Sequence, residues 1–401
     1  MALVVQKYGG TSVANADRVK AVAERVVKRK RQGDDIIVVV SAPAGMTDDL
    51  IRRAKEISVK PCKRELDMLL AVGEQVSVAL LAMAIKELGE EAISFNAQQI
   101  KIKTTNSHTN AQIIDIDTDR IKEKLESNHI VIVCGFQGVN ENHDLTTLGR
   151  GGSDTTGVAL GIELEADLCE IYTDVDGVYT ADPRMVEKPK KLDKIAFEEM
   201  LELSATGAKV LHNRSVELGY KYGLPIHLKS SFDESEGTVV CNLKEENSNI
   251  ITGISHQSKE ALIAIEDLPD KPGVAAQIFK KISEAGINVE IITQGGGNGE
   301  KADISFVIKK DDLEEALIIS EKIAKDLGGA KVTGIDDLAM ISLVGPIIQN
   351  KLLITSKVLT TLKENQVKPV VITGSDIKIS FLIKEENLKK LLNEFHKQFI
   401  S

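Results

Sequence analysis

The strongest constraint on this chain is an alternation. Through residues 1–245, short apolar runs of strand type take turns with amphipathic helical stretches. Leu3 to Gln6 reads as a strand and Asp17 to Lys30 as a helix. Asp35 to Val40 is a β-branched run that leaves through Ser41-Ala42-Pro43-Ala44-Gly45. Glu65 to Leu88 is helical, His129 to Cys134 a strand, Thr155 to Leu164 a helix and Cys169 to Thr173 a strand. One or two helices in Glu198 to Tyr222 and a strand at Pro225 to Lys229 follow. Strands that are apolar along their whole length must be covered on both faces, and strands joined through helices run parallel. The expected fold is therefore α/β, a mainly parallel sheet between helices, with ligands at the carboxyl ends of its strands.

The pattern changes after the polar stretch Lys244 to Asn249, which reads as a linker. Leu262 to Ile265 (strand), Gly273 to Ala285 (helix), Ile287 to Thr293 (strand), Ala302 to Ile308 (strand) and Leu313 to Leu327 (helix) form one βαββα unit. Ala339 to Val344, Leu352 to Asn365, Val367 to Thr373, Ile377 to Ile383 and Glu385 to Phe399 repeat it in the same order. Units of this kind pack side by side to share a core. The second copy ends without a closing strand, and Ile250 to Ser255 is the spare segment that can supply one. The expected domains are 1–245, 250–335 and 338–401.

Two glycine-rich segments carry the chemistry. The first, Lys7-Tyr8-Gly9-Gly10-Thr11-Ser12, follows a strand; the second, Gly149-Arg150-Gly151-Gly152-Ser153-Asp154-Thr155-Thr156, leads into a helix. Each joins flexible glycines to a fixed cation and hydroxyl donors, which suits phosphate or carboxylate oxygens. Neither is a P-loop or a dinucleotide fingerprint. Lys7 is a point charge for a moving phosphoryl group, and Arg150 a fork for a carboxylate. Asp154 is an odd acid in an anion site, and a charge-assisted bond to Lys7 would explain it. The same residues also fit a capped turn with a solvated lysine and a helix N-cap. Glu74, on an apolar helical stretch, suits a substrate ammonium or simply solvent. The loop from Thr173 and Asp174 through Tyr179 to Arg184 has donors, a ring and a cation for a nucleotide. It lacks the distal Glu of a calcium loop. Gly295 to Gly299 reads as a hairpin between strands.

Composition narrows the classes. A net charge of -10 opposes polyanion binding, and 3% aromatic residues without Trp leave no stacking platform for single-stranded nucleic acid. Cys62, Cys134, Cys169 and Cys241 form no C-x-x-C pair and read as buried thiols of a reducing compartment. The longest apolar run, Val78 to Ile85, falls short of a membrane span, and the N-terminus shows no targeting pattern. The expectation is a cytoplasmic protein that binds neither membrane nor nucleic acid.

The ordered set Lys7 to Ser12, Arg64 to Glu74, Gly135 to Gly138, Thr147 to Thr156 and Tyr172 to Arg184 resembles the aspartokinases, members of the amino-acid kinase family. The paired βαββα units look like that family's two ACT domains. The resemblance implies transfer of the ATP γ-phosphoryl to the β-carboxylate of L-aspartate, the first step toward lysine, threonine and methionine. It assigns Lys7 to the transferring phosphoryl and Asp154 to organising Lys7. Arg150 and Glu74 would hold the aspartate carboxylate and ammonium, with Ser41, Thr47, Gly151, Gly152 and Ser153 lining the pocket. Lys7, Tyr8, Gly9, Gly10, Thr173, Asp174, Tyr179, Arg184 and Lys209 would contact ATP, with Mg²⁺ carried on its phosphates rather than in a protein cage. Asp270, Ile287, Asn288, Val289, Glu290 and Gln294 match a pocket for an effector, lysine or threonine. The second unit departs from the pattern at Pro346 to Leu352 and at Lys368-Pro369. ACT domains usually associate, which implies a homo-oligomer. The rivals are a glutamate or N-acetylglutamate kinase of the same fold and a non-catalytic ACT sensor.

Overall fold

The structure, a computed structural model, describes residues 2–208, 210–243, 251–296, 300–328, 331–346 and 351–400. Lys209, the Lys244 to Asn249 linker, Ile250, Gly297 to Gly299 and Ile347 to Asn350 lie outside the described residues. The chain forms two compact units, one of residues 1–179 and 190–248, the other of residues 180–189 and 249–401.

The first unit is built on an eight-stranded sheet. Its spatial order is Lys194–Ala196, Thr238–Cys241, Ile226–Ser230, Leu168–Thr173, Leu3–Tyr8, Asp35–Val40, Ile130–Cys134 and Ala92–Phe95. All pairings are parallel except Ile226–Ser230 with Thr238–Cys241. Ile36 to Val40 and Ile130 to Cys134 are fully buried, as two covered faces require. The Ala16–Lys30 helix packs Val19, Val22, Ala23, Val26 and Val27 onto one face. Asn15 caps it by accepting from the Arg18 amide at 3.0 Å. The Gly152–Glu163 helix covers the other face, and its Gly157 lets it approach the stem of Lys7.

Three local features differ from the sequence reading. The stretch from Lys63 to Glu87 has the length and apolar character of a membrane span. It is two helices, Lys63–Leu70 and Val72–Glu87, meeting at Ala71, and Val78, Leu81 and Ile85 lie in the core beside Val22 and Ile132. A second, four-stranded sheet of Ile113–Ile116, Ile102–Thr104, Gln137–Val139 and Leu145–Thr147 was not expected, because strands of three or four residues carry too little periodicity. Cys134 and Cys169 are buried, but Cys62 is exposed at the start of its helix, which corrects the reading of all four thiols as core.

The second unit is one six-stranded antiparallel sheet. Its order is Ile291–Gly296, Lys301–Lys309, Gly253–Pro269, Lys331–Val344, Lys378–Lys384 and Val371–Gly374. The two central strands are much longer than the sequence suggested and serve both repeats. Residues 260–266 pair with 331–338 in the first copy, and 253–257 pair with 340–344 in the second. A bulge at Lys259, with φ of 57°, separates the halves. The polar run Gln257 to Glu260 hid this continuity, since a ladder of backbone bonds needs no apolar side chains. Each copy keeps its own core, Ile263, Ile278 and Phe306 in one and Ile341, Val358 and Phe395 in the other.

Candidate active site

Four loops converge at the carboxyl end of the parallel sheet. The Leu3–Tyr8 strand presents Lys7 on the face covered by the Gly152–Glu163 helix. Lys7 is 8% exposed, and its Nζ lies 2.6 Å from Asp154 Oδ1 in the first turn of that helix. The strand then turns at Gly9, whose amide donates to Tyr172 O at 3.1 Å. A Cβ on Gly10 would fall 2.7 Å from Ala42 O, so only glycine lets the Gly9-Gly10 turn lie against the loop after Asp35–Val40. That contact is closed by the Ala44 amide donating to Gly10 O and the Ser41 amide to Tyr8 O, each at 3.1 Å. Thr47 sits half-buried in the first turn of the following helix, Met46–Ile57.

Glu74 joins the same loop. Its Oε1 accepts the Ala42 amide at 2.9 Å, and its Oε2 is buried without a hydrogen-bond partner. Burial pushes its pKa up to about 7. A carboxylate stored with one empty oxygen suits a cation that arrives with a ligand.

The second glycine segment is as tightly fixed. Gly149 and Gly151 have φ of 74° and 70°, a region that favours glycine. A Cβ on Gly151 would fall 2.1 Å from His212 Cγ. Ser153 packs against Gly135, where a Cβ would lie 2.7 Å from the Ser153 Cβ. Thr156 Oγ1 accepts from the Phe136 amide at 3.2 Å, tying the helix start to the Ile130–Cys134 strand exit. Gly152 and Ser153 are buried, whereas Arg150 is exposed and makes no ion pair among the described residues.

Of the nucleotide candidates, Thr173 ends the strand beside Leu3–Tyr8 and shares a hydrogen bond with the exposed Asp174 at 3.0 Å. Tyr179 donates its hydroxyl to Asp176, and burial with that acid raises its pKa. Arg184 belongs to the second unit, where it forks onto Asp182. The expected effector residues are not brought together. Asp270 donates to Glu300 O where Pro269 pairs Lys301, while Glu290 donates to Val307 O where Ile291 pairs Val307. Six extended residues separate Lys301 from Val307, about 20 Å. Gln294 is exposed between the two groups.

Sequence reasoning passed over Asp67 and left Arg214 without a role. Asp67 is fully buried and accepts from Thr147 Oγ1 at 2.6 Å and from the Thr109 amide at 3.0 Å, with His108 Nδ1 at 2.8 Å. It fixes the entry to the Gly149 loop. A single carboxylate between Leu66 and Met68 in a helix offered no signal of that.

Comparison with known proteins places these features. Residues 2–230 match the model of the amino acid kinase family, and residues 263–321 and 341–399 each match an ACT domain. An aspartate kinase of Stutzerimonas stutzeri is 44% identical over 401 residues, covering 100% of this chain and 97% of its own. The solved structure of E. coli aspartokinase III in complex with aspartate and ADP is 25% identical, with a TM-score of 0.80 over 100% of both chains. The same holds for that enzyme in complex with lysine and aspartate, its T-state.

Proposed function

This chain belongs to the aspartokinases, within the amino acid kinase family, and we propose that it moves the ATP γ-phosphoryl to the β-carboxylate of L-aspartate through the Lys7–Asp154 site. The observation that carries this reading is the ion pair itself. A lysine from the first strand and an aspartate from a helix far along the kinase segment meet at 2.6 Å beside two glycine turns. Phosphoryl transfer asks for positioning and charge neutralisation, because the charge spreads over the phosphoryl oxygens as the bond breaks. Lys7 neutralises that charge, and Asp154 holds the ammonium in place. Aspartate needs no strong base, since its carboxylate is already ionised at neutral pH. Arg150 takes one carboxylate and Glu74 the ammonium. Ser41, Thr47 and the Gly151 to Ser153 turn line the space between. Tyr8, Gly9, Gly10, Thr173, Asp174 and Tyr179 serve the nucleotide, as does Lys209. Mg²⁺ rides on the ATP phosphates, and among the described residues no cluster of three or more acidic, His or Cys side chains competes for it.

The ACT pair supports feedback by an amino acid, and lysine is the first candidate because E. coli aspartokinase III has been solved with it. Within one chain the two halves of the expected pocket sit at opposite ends of the sheet. Ile291–Gly296 is an edge strand with Ile292 exposed, so a second copy laid antiparallel along it would bring opposite ends together. That geometry favours a homo-oligomer with the effector held between copies. An enzyme drawing on ATP and free aspartate belongs in the cytoplasm.

The test is ADP release with hydroxylamine trapping across aspartate, glutamate and N-acetylglutamate. The acyl hydroxamate should form with aspartate alone, and its absence there sinks the reading. Lysine and threonine, singly and together, then identify the effector.

A further inference from the structure

The Gly149 to Gly152 loop is held from behind by one side chain. Arg214, on the Asn213–Tyr222 helix, donates from its Nη2 to Leu148 O at 2.7 Å and to Arg150 O at 2.6 Å. It has no ion pair among the described residues, and burial lowers its pKa from the ordinary guanidinium value. A half-buried cation spent wholly on two carbonyls of a substrate loop is an uncommon use of charge.

Its effect follows from peptide geometry. No peptide bond among the described residues is cis, and in a trans peptide the C=O and N–H point in opposite directions. Carbonyls of Leu148 and Arg150 drawn toward Arg214 therefore turn the N–H groups of Gly149 and Gly151 away from it. No protein acceptor among the described residues takes the N–H of Gly149, Arg150 or Gly151. Gly149 and Gly151 have positive φ, and Arg150 between them does not. Alternating hands of this kind make successive N–H groups converge on one concavity, a nest that binds an anion. The nest opens at the start of the Gly152–Glu163 helix, whose dipole adds to it.

We infer that Arg214 is a positioning residue for aspartate: by anchoring the Leu148 and Arg150 carbonyls it aims the Gly149 and Gly151 amides, with the Arg150 amide between them, at the substrate carboxylate. This rests on the assignment of the Arg150 loop to aspartate. Arg214 itself touches no substrate, and its charge reaches the carboxylate through polarised peptides.

The experiment compares the full chain with Arg214→Ala, Arg214→Lys, Arg150→Ala and the double Arg150→Ala/Arg214→Ala variant, in steady-state kinetics and thermal melts. Arg214→Ala should raise the aspartate KM about tenfold or more, leaving the ATP KM and kcat within about threefold, since an aimed set of donors is lost and the phosphoryl site is kept. Arg214→Lys, which keeps charge and donors, should fall between, and millimolar guanidinium should restore part of the Ala variant. The double variant should cost less than the product of the singles, because both act through one loop. An unchanged aspartate KM in Arg214→Ala overturns the proposal. So does a rise in both KM values that tracks a fall in Tm, since that is damage to packing alone. If Arg214→Ala fails to fold, an Arg214→Lys variant with a parental aspartate-to-ATP KM ratio and no separate rise overturns it equally. An unchanged aspartate KM in Arg150→Ala overturns the loop's assignment, and the proposal with it.

Discussion

Glu74 gives one carboxylate oxygen to the Ala42 amide and leaves the other buried without a hydrogen bond. The bond fixes where the side chain lies, and the vacant oxygen fixes what it lacks.

That vacancy sets a pH dependence. With the pKa pushed up to about 7 by burial, Glu74 in the free enzyme is protonated below that value and ionised above it. A substrate ammonium binds the ionised form. The aspartate KM should therefore fall as pH rises from 6 to 8, and Glu74→Gln should raise it and flatten its dependence. Steady-state kinetics at fixed saturating ATP reads this directly. A parental pH profile in Glu74→Gln would remove Glu74 from aspartate binding.

Lys7→Ala should lower kcat by roughly two to three orders of magnitude, the usual loss of an electrostatic stabiliser of the transition state. Asp154→Asn keeps the shape of the pair but leaves the ammonium without its anchor 2.6 Å away. It should reduce kcat less than Lys7→Ala, and the double variant should be no worse than Lys7→Ala alone. Near-normal turnover in Lys7→Ala takes the pair out of the mechanism.

Gly151→Ala faces two costs, a φ of 70° and a methyl group directed into the His212 ring. Backbone strain of this kind is about 1–3 kcal/mol. The variant should lose aspartate affinity, and His212→Ala added to it should recover the steric share but not the backbone share. Isothermal titration with aspartate separates the two.

The second unit carries its own proton-linked term. Glu260 is fully buried, with Oε2 unpartnered, beside Glu290 and a hydrogen bond from Lys309. Burial first, and then the Glu290 charge, push its pKa up to about 7 against the pull of Lys309. The folded chain thus holds a proton that the unfolded chain releases near its ordinary carboxyl value. Stability is lost as pH rises from about 4.5 through 7, where that difference accumulates. Glu260→Gln should gain in Tm over the parent at pH 8 and gain little at pH 5 in calorimetry. An equal gap at both pH values would refute the assignment.

Much of the first unit was legible because its strands are unbroken apolar runs, Asp35–Val40 and Ile130–Cys134 above all. Lys7 stood near the end of one such strand and Arg150 in a glycine-rich turn, whereas Glu74 stood on a helix whose meeting with the loop after Asp35–Val40 left no mark in the pattern. Arg214 was not legible in its role, since a guanidinium that serves backbone carbonyls leaves no partner residue to pair it with. Residues 180–189 read as one loop with Thr173, yet the fold assigns them to the second unit through contacts such as the Ile254 amide to Thr180 O. Backbone bonding of that sort has no spelling in side chains. Ile250 to Ser255 and Leu262 to Ile265 read as separate strands, yet one strand joins them across a bulge at Lys259, because polarity ends an apolar pattern without ending a strand.

The long strands Gly253–Pro269 and Lys331–Val344 each run through both copies of the repeat. Neither copy is therefore a removable cassette. Deleting the last sixty or so residues would strip the first copy of nothing in sequence order, but a cut before Lys331 would take away a strand that the first copy needs. Transplanting one copy into another enzyme would carry half of its neighbour along. The two copies stand on one shared pair of strands, and what cuts one cuts into the other.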